Sequence, residues 1–153
     1  MQGVDFSGLN ELDDMFNEIL NDFPDKRREL HEDMKEMLKR EVDSSISTSL
    51  NDNNGLVKSW QEARTGSGGG YAAISAKRNT FHNEYAVGYI TNALENGHRI
   101  RPPKRQSKYY RSRVKQARVE GRSFYQKSIS NAISKAIDMT RQMVDELTNE
   151  MNR

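Results

Sequence analysis

From Tyr125 to Met151, apolar residues recur at the three- and four-residue spacing of one helical face. They are Tyr125, Ile129, Ala132, Ile133, Ala136, Ile137, Met143, Val144, Leu147 and Met151. This run of about eight turns predicts the longest helix of the chain, with Ser123 standing before it as a candidate N-cap. A helix with such a face is stabilised mainly by what covers it, so the rest of the chain must supply a partner. The first third offers one. Leu9, Leu12, Met15, Phe16, Ile19, Leu20 and Phe23 share one face, and Pro24 is expected to end or kink that helix. Leu30, Met34, Met37, Leu38, Val42, Ile46 and Leu50 then continue the period, opposite a face dense in charged residues. Both stripes read as core packing.

Between these helical regions the signals are those of turns and strands. Asn51 to Gly55 is turn chemistry, and the only tryptophan, Trp60, reads as a packing residue on a short helix or strand. Thr65 to Gly70 reads as a flexible glycine-rich loop, without the glycine spacing or the Lys-Ser/Thr pair of a phosphate cradle. Residues 71–79 and 83–98 alternate in the manner of strands, with 77–82 closing a hairpin and helix resuming near Thr91. The expected fold class is therefore α+β. The helical N-terminal region and the long C-terminal helix pack on a small antiparallel sheet spanning roughly 71–90.

Composition limits what this arrangement can bury. Hydrophobic residues are 34% of the 153 and charged residues 30%, which predicts a thin core within one domain, 1–153, completed by contacts with other chains. The absence of cysteine removes disulfides, thiolate metal sites and cysteine nucleophiles. With no apolar run approaching the ~18–20 residues of a membrane span and no apolar signal stretch, the sequence predicts a soluble, non-secreted protein without a membrane partner.

The net charge of +2 hides a strong segregation. Residues 1–50 carry thirteen acidic and six basic side chains, whereas residues 99–122 carry ten basic residues and one acidic, Glu120. Such a split suggests charge-guided contacts between copies or with other partners. Residues 99–122 also hold Pro102 and Pro103 and keep no full amphipathic period, so they read as an exposed, mobile excursion. Within it Tyr109 and Tyr110 interrupt Lys104, Arg105, Lys108, Arg111 and Arg113, the candidate partner-binding residues. Two readings stay open for them: docking on an acidic protein surface, or neutralising phosphates while the rings stack on exposed bases. Protein docking is favoured because the rest of the chain is acidic or neutral.

No acid, base, nucleophile or metal pattern stands out. His31, His82 and His98 fall on three different elements in no recognised ligand spacing, with His31 and Glu32 placed on the solvated side of a helix. No serine sits in a nucleophile motif. The expectation is a protein that is not an enzyme, with no cofactor and no metal.

The order of the pieces resembles the tail-component family of tailed bacteriophages, whose members include proteins similar to the minor tail protein Z of phage lambda. The residues carrying the resemblance are Gly8-Leu9-Asn10-Glu11-Leu12, Gly55-Leu56-Val57-Lys58-Ser59-Trp60 and Tyr85-Ala86. Leu94-Glu95-Asn96-Gly97-His98 follows, then Gly121-Arg122-Ser123-Phe124 before the terminal helix. Where many members have Pro-Xaa-Xaa-Thr-Gly, this chain has Asp52-Asn53-Asn54-Gly55. The resemblance implies a structural virion protein of the neck, a tail-completion component joining tail to head. It also implies other copies of the chain as partners, in a sixfold ring, together with head-connector and tail proteins. The location it implies is the virion, and the host cytoplasm during assembly.

Overall fold

The computed structural model describes residues 7–100 and 118–151, and of residues 7–16, 18–20 and 151 the backbone alone. Two long helices, α1 (Ser7–Ser49) and α4 (Phe124–Met151), form its frame. They run antiparallel in a constant register. Lys26 meets Glu150 at 2.5 Å, Glu41 pairs with Lys135, and Lys127 donates to Ser49 Oγ at 3.2 Å. In that register Met151 lies level with about residue 25, so α1 continues past the end of α4 for nearly five turns.

The sequence predicts a break at Pro24, yet α1 passes through it. Proline removes one backbone hydrogen bond and crowds the preceding turn. Here the ring is exposed, and helical stretches on either side hold the segment.

The core is as thin as the composition implies. Val42 and Ile46 of α1 and Phe124 of α4 are buried together, flanked by Leu50, Val57, Ile74, Leu94 and Tyr125. Asp52 fixes the turn after α1, because its carboxylate accepts from the amides of Val57 and Lys58, both at 3.1 Å. That caps the single turn α2 (Leu56–Ser59) and sets Trp60 into the interior.

The α+β class holds, but the strands differ from the expected single sheet. Three separate two-stranded antiparallel ladders are present among the described residues. β1 (Gln61–Thr65) pairs with β2 (Ala72–Ala76), from Gln61 opposite Ala76 to Thr65 opposite Ala72. The expected partner of β2 lay further along the chain, but the glycine-rich turn offers a shorter closure. β3 (Phe81–His82) and β4 (Tyr85–Ala86) form a hairpin of their own. Residues 87–96 are then helix α3 (Val87–Asn96) rather than strand, because Val87, Thr91 and Leu94 present one face to the core. β5 (Gly97–Arg99) pairs with β6 (Arg118–Glu120), a ladder that no periodicity in the sequence announces.

The turn between β1 and β2 is not a free loop. Ser67–Gly69 forms a short 3-10 turn, and Gly69 is buried against α1 at φ 67°. A Cβ there would lie 2.8 Å from Arg28 Cα. His31 donates through Nδ1 to the Gly69 carbonyl oxygen at 2.6 Å, while Thr65 donates to Glu32 at 2.6 Å. His31 and Glu32 are thus half-buried anchors rather than residues of a solvated face. Glycine is what lets the loop backbone come close enough to use them.

Candidate functional site

The end of α3 and the start of α4 interlock. Arg122 N–H donates to the Leu94 carbonyl at 2.8 Å and Ser123 N–H to the Glu95 carbonyl at 3.1 Å. The Glu95 carboxylate accepts from the amides of Tyr125 at 3.0 Å and Gln126 at 3.2 Å, so it caps the first turn of α4 from another element. Ser123 does occupy the position before the helix, at φ 50°. Two glycines make the approach possible. A Cβ on Gly97 would lie 2.3 Å from the Val119 carbonyl oxygen, and one on Gly121 would lie 2.2 Å from that of Glu95. The Leu94–His98 and Gly121–Phe124 motifs, 22 residues apart at their nearest ends, are one structural unit.

This unit is the stem of the basic segment. β5 and β6 hold its two ends side by side, with Arg99 opposite Arg118. Arg99, Arg118 and Arg122 are exposed there, and Arg118 donates to the Asn96 carbonyl at 3.2 Å. Lys104, Arg105, Lys108, Tyr109, Tyr110, Arg111 and Arg113 lie outside the described residues, as does most of the segment expected to be extended and mobile. Its described parts depart from that expectation: Arg99 at its start and Arg118 to Glu120 near its end are strand.

A second surface was not legible in the sequence. Asn83 and Glu84, at φ 48° and 71°, close the β3–β4 hairpin with the left-handed pair that a tight two-residue turn requires. His82 tilts against Trp60 with ring centroids 5.3 Å apart, which fastens the hairpin to the body. Phe81, Tyr85 and Tyr89 stay outside, each at least 60% exposed, and the two tyrosines stack with centroids 6.3 Å apart. Their alternation reads as strand in the sequence; the signal that could have placed them outside is Asn83 at the turn.

The polar groups drawn inward are structural. Gln61, nearly fully buried, donates to the Val57 carbonyl at 2.9 Å and to Thr91 Oγ1 at 3.4 Å, and accepts from the Tyr125 hydroxyl. Burial, with the nearby Glu95 charge, pushes the Tyr125 phenol up to about 12. Lys35 and Thr65 beside Glu32 hold its carboxyl below the usual range. His82 is packed on Trp60 and His98 is exposed on β5. Among the described residues no group of three or more His, Cys, Asp or Glu is placed to hold a metal ion, and no helix is long and apolar enough to cross a membrane.

No family model, curated protein or solved structure matches the chain. What the surfaces can do follows from their residues. The stem presents cations on a rigid base and the hairpin presents apolar rings.

Proposed function

We propose that the chain is a structural protein of a tailed-phage virion, a neck or tail-completion component that joins tail to head by protein–protein contacts, and that it is not an enzyme. The observation that carries this reading is the stem. Two short motifs behind the family resemblance, Glu95-Asn96-Gly97-His98 and Gly121-Arg122-Ser123-Phe124, have one physical task together. They tie the ends of the basic segment and start the terminal helix, which gives a reason for both motifs to occur in that order. The balance of −7 over residues 1–50 and of +9 over residues 99–122 supplies opposite charges for contacts with neighbouring copies or with head-connector and tail proteins. The neck of the virion is the corresponding location.

The test is complementation of a phage deleted for the gene, using a chain with Lys104, Arg105 and Arg111 changed to Glu. The expected result is a normally folded protein with head–tail joining strongly reduced, most visibly at low salt, where charge steering is least screened. Unchanged joining would count decisively against a role for the segment. The alternative, a nucleic-acid-binding module using 99–122, draws support from the exposed Arg99, Arg118 and Arg122 at the stem. Filter binding at several salt concentrations separates the two, since submicromolar affinity for single strands at physiological salt favours the alternative.

A further inference from the structure

Helix α4 carries more apolar surface than α1 covers. Phe124, Ser128, Ala132 and Leu147 are buried along its inner side. On another side Ile129, Ile133, Ile137 and Val144 are 53%, 55%, 47% and 49% exposed. The spacings of four, four and seven put these four on one stripe. Between them Ile133, Ala136, Ile137, Thr140 and Arg141 line a shallow groove of about 380 Å³.

We infer that this stripe is an interface for a second copy of the same chain, with the two α4 helices packed antiparallel. Three features of α4 select that occupant and that direction. The first is charge. Lys135 and Glu150 face α1, held by Glu41 and Lys26, but Asp145 borders Val144 on the outer side and Lys127 is exposed two residues before Ile129. Antiparallel pairing sets Asp145 of one copy level with Lys127 of the other, while parallel pairing sets like beside like. The second is shape. About a centre between Ala136 and Ile137, Ile137 falls opposite Ala136, Ile133 opposite Thr140 and Ile129 opposite Val144, so a larger side chain meets a smaller one at every level. The third is the rim. Arg141, which borders the groove, then faces the Ser130–Ser134 edge of the other copy instead of another Arg141. The contact is isologous and closes on itself. It stands on α4 alone and does not depend on the neck reading.

The stripe is about 22 Å long and one helix wide, which places the pairing at the small end of specific interfaces. The expected dissociation constant is on the order of 10–100 μM. Sedimentation of the full chain from about 1 μM to 1 mM should show a reversible monomer–dimer equilibrium. Monomer throughout would overturn the inference. Ile133→Asp with Ile137→Asp should abolish the dimer while leaving the circular dichroism, and the melting temperature measured at about 1 μM where the parent is monomeric, close to the parent's, because both side chains are about half exposed. A dimer that persists in this variant lies elsewhere and would also overturn it. The chain has no cysteine, so introduced ones report direction cleanly. Under mild oxidation, Ile129→Cys mixed with Val144→Cys should give a cross-linked heterodimer, and Ile129→Cys alone should give none. Cross-linking of Ile129→Cys by itself would mean parallel packing. Failure of the mixed pair, with the dimer present, would mean that another surface pairs.

Discussion

The stem and the aromatic hairpin are both short antiparallel ribbons, with positive φ at Gly97 in one and at Asn83 and Glu84 in the other, yet they are held by different means. In the stem, backbone meets backbone: the Cβ positions of Gly97 and Gly121 are already filled by the Val119 and Glu95 carbonyl oxygens. In the hairpin, the turn residues Asn83 and Glu84 carry side chains, and a Cβ on nearby Gly88 would meet nothing within 4 Å. Crowding over-determines the first ribbon, while the second is set by its turn and one ring contact to Trp60. The stem should therefore fail as structure when altered, and the hairpin should change only what the molecule touches.

The sharpest test of that contrast is a pair of identical substitutions. Gly121→Ala must displace the Glu95 carbonyl and the start of α4, and several kcal/mol of stability should be lost, about as much as the ~3–5 kcal/mol for truncating a buried aromatic such as Phe124 or Trp60. Gly88→Ala, in helix α3 with open space around it, should be neutral or stabilising by up to about 1 kcal/mol. Urea denaturation of both variants measures the difference. Equal effects would show that the crowding at Gly121 does not hold the stem.

Glu95 gives the next largest effect. Its carboxylate caps α4 from α3, so Glu95→Ala should cost about 0.5–2 kcal/mol, within the range of other cap deletions. Hydrogen exchange should locate the loss in the first turn of α4. A loss confined to α3 would show that the capping contact contributes little.

The helical regions and the α+β class were legible because apolar period survives in sequence whatever covers it, although the continuity of α1 through Pro24 was not. The pairing of strands was not. β1 contains Gln61, Glu62 and Arg64, with no apolar alternation to announce a strand. It is held because Gln61 is satisfied by Val57, Thr91 and Tyr125, contacts distributed over the chain. His31 and Glu32 sat on a charged helical face in sequence, and only the glycine-rich turn folding back onto α1 makes them anchors. The basic segment between 99 and 122 stands in the sequence as composition alone. Its stem was not legible, since three-residue strands carry no periodicity. Neither were the two sides of α4, because an apolar stripe does not reveal how much of it a single partner covers.

Tyr125 sharpens the comparison from the stem side through pH. Its phenol is raised to about 12 in the fold against an ordinary value of 10.0. The folded chain therefore holds this proton more tightly than the unfolded one. The resulting stabilisation is complete below pH ~10 and is lost as pH rises through about 12. For a half-buried ring, its size is on the order of 1 kcal/mol after solvent screening. Tyr125→Phe should cost about 1 kcal/mol near neutrality, because Gln61 loses its donor, and should flatten the alkaline limb of the stability profile. A Phe variant with the parent's alkaline limb would assign that titration to another group.

The smallest expected effect on stability is at the hairpin. Phe81 is 67% exposed and points away from the His82–Trp60 contact, because neighbouring strand residues face opposite sides. Phe81→Ser should move the unfolding midpoint by no more than about 0.5 kcal/mol in equivalent free energy. Tyr89→Ser removes the stack on Tyr85 as well, which for exposed rings adds about 0.5 kcal/mol at most. If the hairpin is a docking surface, both variants should fold and melt almost as the parent does, yet weaken head–tail joining in the same complementation assay used for the basic segment. The charge-reversed chain should fail chiefly in the rate of joining, which salt modulates, whereas loss of apolar rings should shorten the life of the joined state with little salt dependence. Kinetics of joining at two ionic strengths therefore tells the two surfaces apart. A Phe81→Ser chain that joins normally would leave the hairpin as a fold-closing turn with exposed rings.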